Sequence, residues 1–241
     1  MADAIIDIYT VFGAVPPRTT APGTSNLLEI QEKYQVKQSL TLSTRGIYHS
    51  ANAGNRETAA NCSRSNGRLK PIAMLDPLSN ALPHVDGFVA IAAFPVAQHW
   101  RIHHAAFQSI LATLAHDGIT LPLFVETSRV GDLSLLKGIL NASSYMGPVI
   151  ALGVATEGLS EVLALSASMP NLHLCTSGLR GVGDIDLAVK QMSSQRILFG
   201  SASVAFGSLG AAVAIVRMSR ISETEKADIM HNNAMNMFGD N

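Results

Sequence analysis

Residues 121–152 read LPLFVETSRVGDLSLLKGILNASSYMGPVIAL, and their order decides the fold. Two short apolar runs, Leu121 to Val125 and Pro148 to Leu152, bracket a stretch in which apolar residues recur at helical spacing from Leu133 to Ala142. The runs are nearly continuously apolar rather than alternating, the pattern of strands covered on both faces in a parallel sheet. Parallel neighbours need a crossover, and the amphipathic stretch supplies one. The predicted unit is strand, helix, strand.

Working outward, the unit repeats in both directions. Apolar runs at Ala4 to Tyr9, Lys37 to Ser43, Leu69 to Leu75, Gly87 to Ala92, Asn171 to Thr176 and Arg196 to Gly200 bring the set of strands to eight. Helical periodicity fits Leu27 to Tyr34, Arg56 to Ser65, Ala105 to His116, Leu159 to Ser168, Ile185 to Met192 and Ala211 to Met218, with a closing helix after Ile221. Only the third crossover, Asp76 to Asp86, is too short for a proper helix. With 241 residues and no obvious linker, this order predicts one α/β domain over residues 1–241. It is a (β/α)8 TIM barrel with a shortened third crossover and an extra C-terminal helix.

An open doubly wound sheet is the competing architecture, but its dinucleotide fingerprint is missing. The nearest match, Gly178-Leu179-Arg180-Gly181-Val182-Gly183, has the glycine order reversed. It follows the seventh strand, where barrels often hold an anion at a helix N-terminus, with Arg180 as the counter-charge. The plainer alternative is a flexible turn feeding a helix.

Composition narrows the function classes. Hydrophobic residues make up 47% and charged ones 15%, which excludes disorder and favours large buried strands. Lys plus Arg total 17 against 18 Asp plus Glu, a formal charge of -1, so there is no electrostatic footprint for nucleic acid. Cys62 and Cys175 form neither a disulfide framework nor a metal-ligand spacing, which suits a reducing cytosol. The N-terminus opens with acids and lacks a basic n-region, so the expected location is cytoplasmic. The uncharged run Ile197 to Val216 is long enough to raise a membrane span. Gly200-Ser201 and Gly207-Ser208-Leu209-Gly210 divide it into a strand, a loop and a small-residue helix instead.

Several segments carry a family likeness. They are Ile5-Ile6-Asp7-Ile8-Tyr9-Thr10-Val11-Phe12-Gly13, Arg68 to Pro77 (RLKPIAMLDP), Pro170 to Gly178 (PNLHLCTSG), Arg196 to Ser201 (RILFGS) and Ile221 to Phe238 (ISETEKADIMHNNAMNMF). In order and spacing they resemble the first, third, seventh and eighth strands and the closing helix of the amidohydrolase-related family, metal-dependent barrels that include hydrolases and decarboxylases of small acids. The last segment also makes sense unaided. Ser222 with Glu225 is a capping-box pattern, and Ile229, Met230, Ala234, Met237 and Phe238 fall at helical spacings that would seal one end of a barrel.

The resemblance also implies a metal site, and here the chain departs from it. The family's first-strand His-x-His, two imidazoles pointing the same way into the barrel mouth, corresponds to Tyr9 and Val11. Its fifth-strand His corresponds to Glu126 and its sixth-strand His to Gly153, within one residue. The eighth-strand Asp, which binds metal and takes a proton from the attacking water, corresponds to Ala202. A zinc site needs three or four N, O or S donors. One carboxylate cannot replace them, so no metal and no other cofactor is expected.

Among the remaining polar residues, Glu126 sits at the C-terminal end of a barrel strand, where these folds do chemistry. Burial against Phe94 or Tyr9 would raise its pKa toward that of a general acid or base. The alternative is a structural acid bonded to Thr127, Ser177 or backbone. Arg45 and His49, in the polar connection Thr44 to Gly54, are candidates to hold an anion at the same mouth, with Tyr9, Thr127 and Arg180. His99, His103 and His104 form the densest histidine group, and His99 with His103 would share a face if the segment were helical. The proline-stiffened Val15 to Gly23 would serve as a lid or a partner-binding edge.

Three functional readings follow. The first is a barrel without catalysis, a binding or scaffolding subunit for a small anionic molecule that forms a homo-oligomer or pairs with a metal-bearing relative. The second is a metal-independent hydrolase, lactonase or decarboxylase of a small carboxylated substrate, with Glu126 as acid/base. The third, a metal site reassembled from His49, Glu126 and His99, requires a rearrangement for which the sequence gives no reason.

Overall fold

The computed structural model describes residues 4–16, 20–79 and 84–239. Strand β1 (Ile5–Phe12) is followed by helix α1 (Thr24–Lys33), strand β2 (Val36–Ser43), helices α2 (Thr44–Tyr48) and α3 (Ala51–Ser63), and strand β3 (Leu69–Met74). Strand β4 (Ala90–Ala93) leads into α4 (Ala105–His116), β5 (Leu123–Glu126), α5 (Asp132–Ser143), β6 (Val149–Leu152), α6 (Thr156–Ser166), β7 (Leu172–Cys175) and α7 (Asp184–Met192). The chain ends with β8 (Ile197–Leu198), β9 (Ser203–Val204), α8 (Leu209–Met218), α9 (Glu223–Ala227), a π-helical turn Asp228–Asn232 and α10 (Asn233–Phe238).

Among the described residues the strands form one parallel sheet in the order β8-β7-β6-β5-β4-β3-β2-β1-β9. The sheet's two edges, β8 and β9, are consecutive pieces of one chain run; β9 pairs with β1, and the residues between β8 and β9 also bond to it. Ile8 N–H donates to the Phe199 carbonyl at 2.9 Å, and Ala202 and Ala205 N–H donate to Tyr9 and Val11 carbonyls at 2.9 and 3.1 Å. The sheet thus curls back to its own first strand, as a TIM barrel requires. The eighth predicted strand, Arg196 to Gly200, is shorter than expected, only Ile197–Leu198, and the two-residue strand Ser203–Val204 follows it.

Strand periodicity sorts the core into two layers. Ile72, Met74, Ala90, Ala92, Phe124, Ile150 and Leu152 point into the barrel. Their neighbours Ala73, Ile91, Leu123, Val125, Val149 and Ala151 point out, against the helices. Strand β1 breaks the alternation: Ile8 and Tyr9 are adjacent yet both belong to the interior cluster. A register shift between Asp7 and Thr10 explains this, since a bulge inserts the extra residue that turns Tyr9 and Val11 inward.

The closing helix seals the N-terminal end of the barrel with part of the predicted face, while Ile229 and Met230 pack in the outer cluster instead. Ala234 and Phe238 enter the interior cluster, and the Phe238 ring stacks on Phe124 with centroids 6.1 Å apart. Asn233 Nδ2 donates to the Ser194 and Ile197 carbonyls, and the Ile229 carbonyl accepts from Phe199 N–H. Ser222 and Glu225 make both halves of the capping box.

One local expectation changes. The polar connection after β2 is not a loop but α2 and the start of α3. Ser43 Oγ accepts from Arg45 N–H and Ser50 Oγ from Ala53 N–H, so two serine caps start two helices in succession. A Cβ on Gly54 would overlap the Gly46 backbone, so glycine lets these helices cross closely. The described part of the third crossover carries no helix, in line with its length; residues 80–83, like 17–19 of the first loop, lie outside the described residues. Among the described residues no helix is long and apolar enough to cross a membrane.

Candidate functional site

The mouth of the barrel is built from the C-terminal ends of the strands. Tyr9 and Val11, on β1, and Ala202, between β8 and β9, are 5%, 0% and 9% exposed and share one apolar cluster with Phe94, Leu152 and Cys175. The Tyr9 ring lies 6.2 Å from that of Phe94. Gly200 lets the run after β8 pass: a Cβ there would overlap the Cys175 sulfur and press within 3.1 Å of the Tyr9 Cβ. The centre of the mouth is filled by side chains.

Glu126 ends β5 and reaches the loop after β4, where its Oε2 accepts from Val96 N–H at 2.9 Å and Ala97 N–H at 3.0 Å. Burial raises its pKa above the usual carboxylate value, opposed by these two hydrogen bonds and by the Arg129 charge. Tyr9 stands close enough for burial first and the Glu126 charge second to hold its phenol well above its ordinary pKa. Burial and a backbone partner, which the sequence alone leaves as alternatives for Glu126, are both present.

The other predicted residues divide. Thr127 turns away, its hydroxyl donating to the Leu152 carbonyl at 3.3 Å. His49 lines a depression of about 240 Å³ with Tyr48, Asp76, Gln98 and His99. Arg45 is exposed at the start of α2 and does not line that depression. Arg180 lies elsewhere, in a groove between α7 and α8. His99 and His103 share no helical face, because helix α4 begins only at Ala105. His104 is its N-cap, with Nδ1 accepting from Ala106 N–H at 3.2 Å, and His99 adopts a left-handed backbone at φ +60°.

Two residues escaped notice. Asp7 is fully buried, and burial pushes its carboxyl up to about 7, against the opposing pull of bonds from Ser201 and from Tyr9 N–H. An acid inside an otherwise apolar strand is the sequence signal that could have found it, since a buried carboxyl needs a partner. Its partner Ser201, 194 residues away, gives no such signal.

The donors at the mouth do not fit a divalent metal. Tyr9 offers a phenol and Glu126 one carboxylate with Oε2 already engaged, while Val11 and Ala202 offer no side-chain donor. Gly153 sits at φ +68°, where a histidine would be strained. Among the described residues no group of three or more His, Cys, Asp or Glu side chains is arranged to hold a metal ion.

By fold, the chain is a TIM barrel, and solved structures of that fold superpose on nearly all of it. It superposes on 2,6-dihydroxybenzoate decarboxylase from Rhizobium with a TM-score of 0.73 at 14% identity, covering 98% of each chain. Dihydroxybenzoic acid decarboxylase from Polaromonas sp. JS666, with bound manganese and 2-nitroresorcinol, gives 0.75 at 16% identity over 98% of this chain and 97% of the other. For 5-carboxyvanillate decarboxylase from Sphingomonas paucimobilis the values are 0.72 and 11%, over 98% of each chain. No family model and no curated protein matches at the level of sequence.

Proposed function

We propose that this chain is a binding barrel without a metal centre, a non-catalytic counterpart of the decarboxylases and hydrolases whose fold it shares. One observation carries the reading: Tyr9, Val11 and Ala202, at strand ends where the resemblance implies metal donors, are packed into a single apolar cluster. A cation placed there would lose its hydration shell and gain too few ligands in return. The depression beside it, walled by Tyr48, His49, Asp76, Gln98 and His99, remains for a small polar or anionic molecule. Its other role is assembly, with a second copy or with a metal-bearing relative.

The test is elemental analysis of protein purified after growth with zinc and with manganese, together with turnover assays on esters, lactones and aromatic carboxylic acids. The reading expects substoichiometric metal and no turnover. Stoichiometric metal, or turnover that tracks metal content, refutes it.

A second reading has its own support in the raised pKa of Glu126, which suits a metal-independent acid or base. Turnover by the metal-free parent that is lost in Glu126→Gln would favour it over the first.

A further inference from the structure

We propose that the groove between α7 and α8, on the outer wall of the barrel, binds a small apolar carboxylate. Val182, Ile185, Ala214, Ile215 and Met218 line a space of about 330 Å³, within the rough 300–1,000 Å³ range of small-molecule sites. Val182 and Met218 stand exposed at its rim rather than packed in the core. Arg180 and Arg220 line the same groove, and neither guanidinium has a hydrogen-bond or ion-pair partner among the described residues.

The nearby acids leave these arginines free. Asp184 faces the chain itself: its Oδ2 accepts from Gly181 N–H at 2.7 Å and from the Thr156 hydroxyl at 2.9 Å. The glycine-rich loop's Gly181 N–H is therefore occupied by a side chain of this protein. Asp186 also lines the groove, and its Oδ1 accepts the backbone N–H of Arg220 at 2.8 Å. That bond pins the segment after α8 to α7 and fixes where the Arg220 side chain starts. Two arginines against one carboxylate leave a positive rim over apolar walls. An alkyl chain ending in a carboxylate matches both, because guanidinium pairs with carboxylate in a fixed fork and the chain covers the exposed apolar surface. This inference is independent of the metal-free reading of the mouth.

The test uses the full chain with methyl-detected NMR, titrated with decanoate and, in parallel, with decanol. Decanoate should shift the methyl signals of Val182, Ile185, Ala214, Ile215 and Met218 saturably. Decanol, or the Arg180→Gln/Arg220→Gln double variant, should weaken binding roughly tenfold. Ala214→Trp should abolish it by filling the groove; should that variant misfold, the double variant, on exposed residues, decides alone. Shifts scattered over the molecule, equal affinity for decanol, or indifference to the double variant overturn the proposal. So does sedimentation showing a dimer that Ala214→Trp dissociates, since a second copy would then be the occupant.

Discussion

Asp7 and Ser201 tie the first strand to the turn after the eighth. The Ser201 hydroxyl donates to Asp7 Oδ2 at 2.5 Å, and the Ser201 backbone N–H donates to Oδ1 at 3.1 Å. Tyr9 N–H donates to the same Oδ1 at 3.1 Å, so one carboxyl group holds the bulge in β1 and the seam of the barrel together.

That pair makes stability depend on pH in a defined direction. Burial raises the Asp7 pKa from 3.8 to about 7, so the folded state holds its proton over a range in which the unfolded chain has lost it. Stability from this group is full below the unfolded value, falls as pH rises, and is lost above about 7. The shift corresponds to a few kcal/mol, taking roughly 1.4 kcal/mol per pKa unit. Urea denaturation should show the wild type weakening between pH 4.5 and 8. Asp7→Asn should flatten that slope, and an unchanged slope would remove Asp7 as its cause.

Glu126 should behave as a support for the loop after β4. Glu126→Ala leaves the Val96 and Ala97 N–H groups without their acceptor and is expected to cost about 2 kcal/mol. Glu126→Gln keeps a carbonyl acceptor and should cost less. Hydrogen exchange at residues 96 and 97 should accelerate in the alanine variant only; equal protection in both would contradict the role.

The apolar mouth predicts that restoring one donor does harm. Val11→His puts an imidazole into a fully buried cluster with no partner and should destabilise by roughly 2–4 kcal/mol. Added zinc should not raise its melting temperature. A zinc-dependent rise would mean that further donors are within reach.

Phe238→Ala removes the ring that stacks on Phe124 at the opposite end. Large-to-small changes of buried aromatics cost about 3–5 kcal/mol, and the expected loss lies at the lower end because the site is near the barrel rim. Calorimetry on the variant measures it directly, and a loss under 1 kcal/mol would show that the helix end contributes little to closure.

Much of the architecture is readable in the sequence because strands buried on both faces need apolar side chains at nearly every position. Leu121 to Val125 and Pro148 to Leu152 announce β5 and β6 within two residues of their observed starts. Short features fare worse. β9 is only Ser203–Val204, too brief for any periodicity, and α2 spans five residues started by a single serine cap. Position was legible at the strand ends: Tyr9, Val11, Ala202 and Glu126, which the resemblance places at the mouth, all lie there. It was not legible where it depends on how helices lie around the barrel. Nothing in Gly178 to Gly183 tells that Asp184 bonds the loop's Gly181 N–H or that Arg180 lines the outer wall beside α8.

The plug made by Ala234 and Phe238 has a consequence for how the molecule comes to exist. The barrel interior is completed by residues that are made after every strand they rest on. Until Ala234 and Phe238 have been synthesised and docked, the lower rim of the sheet stays open to solvent, and a nascent barrel carries that unfinished hydrophobic face. Chaperone dependence should therefore be concentrated in the interval between completion of the sheet and docking of this helix.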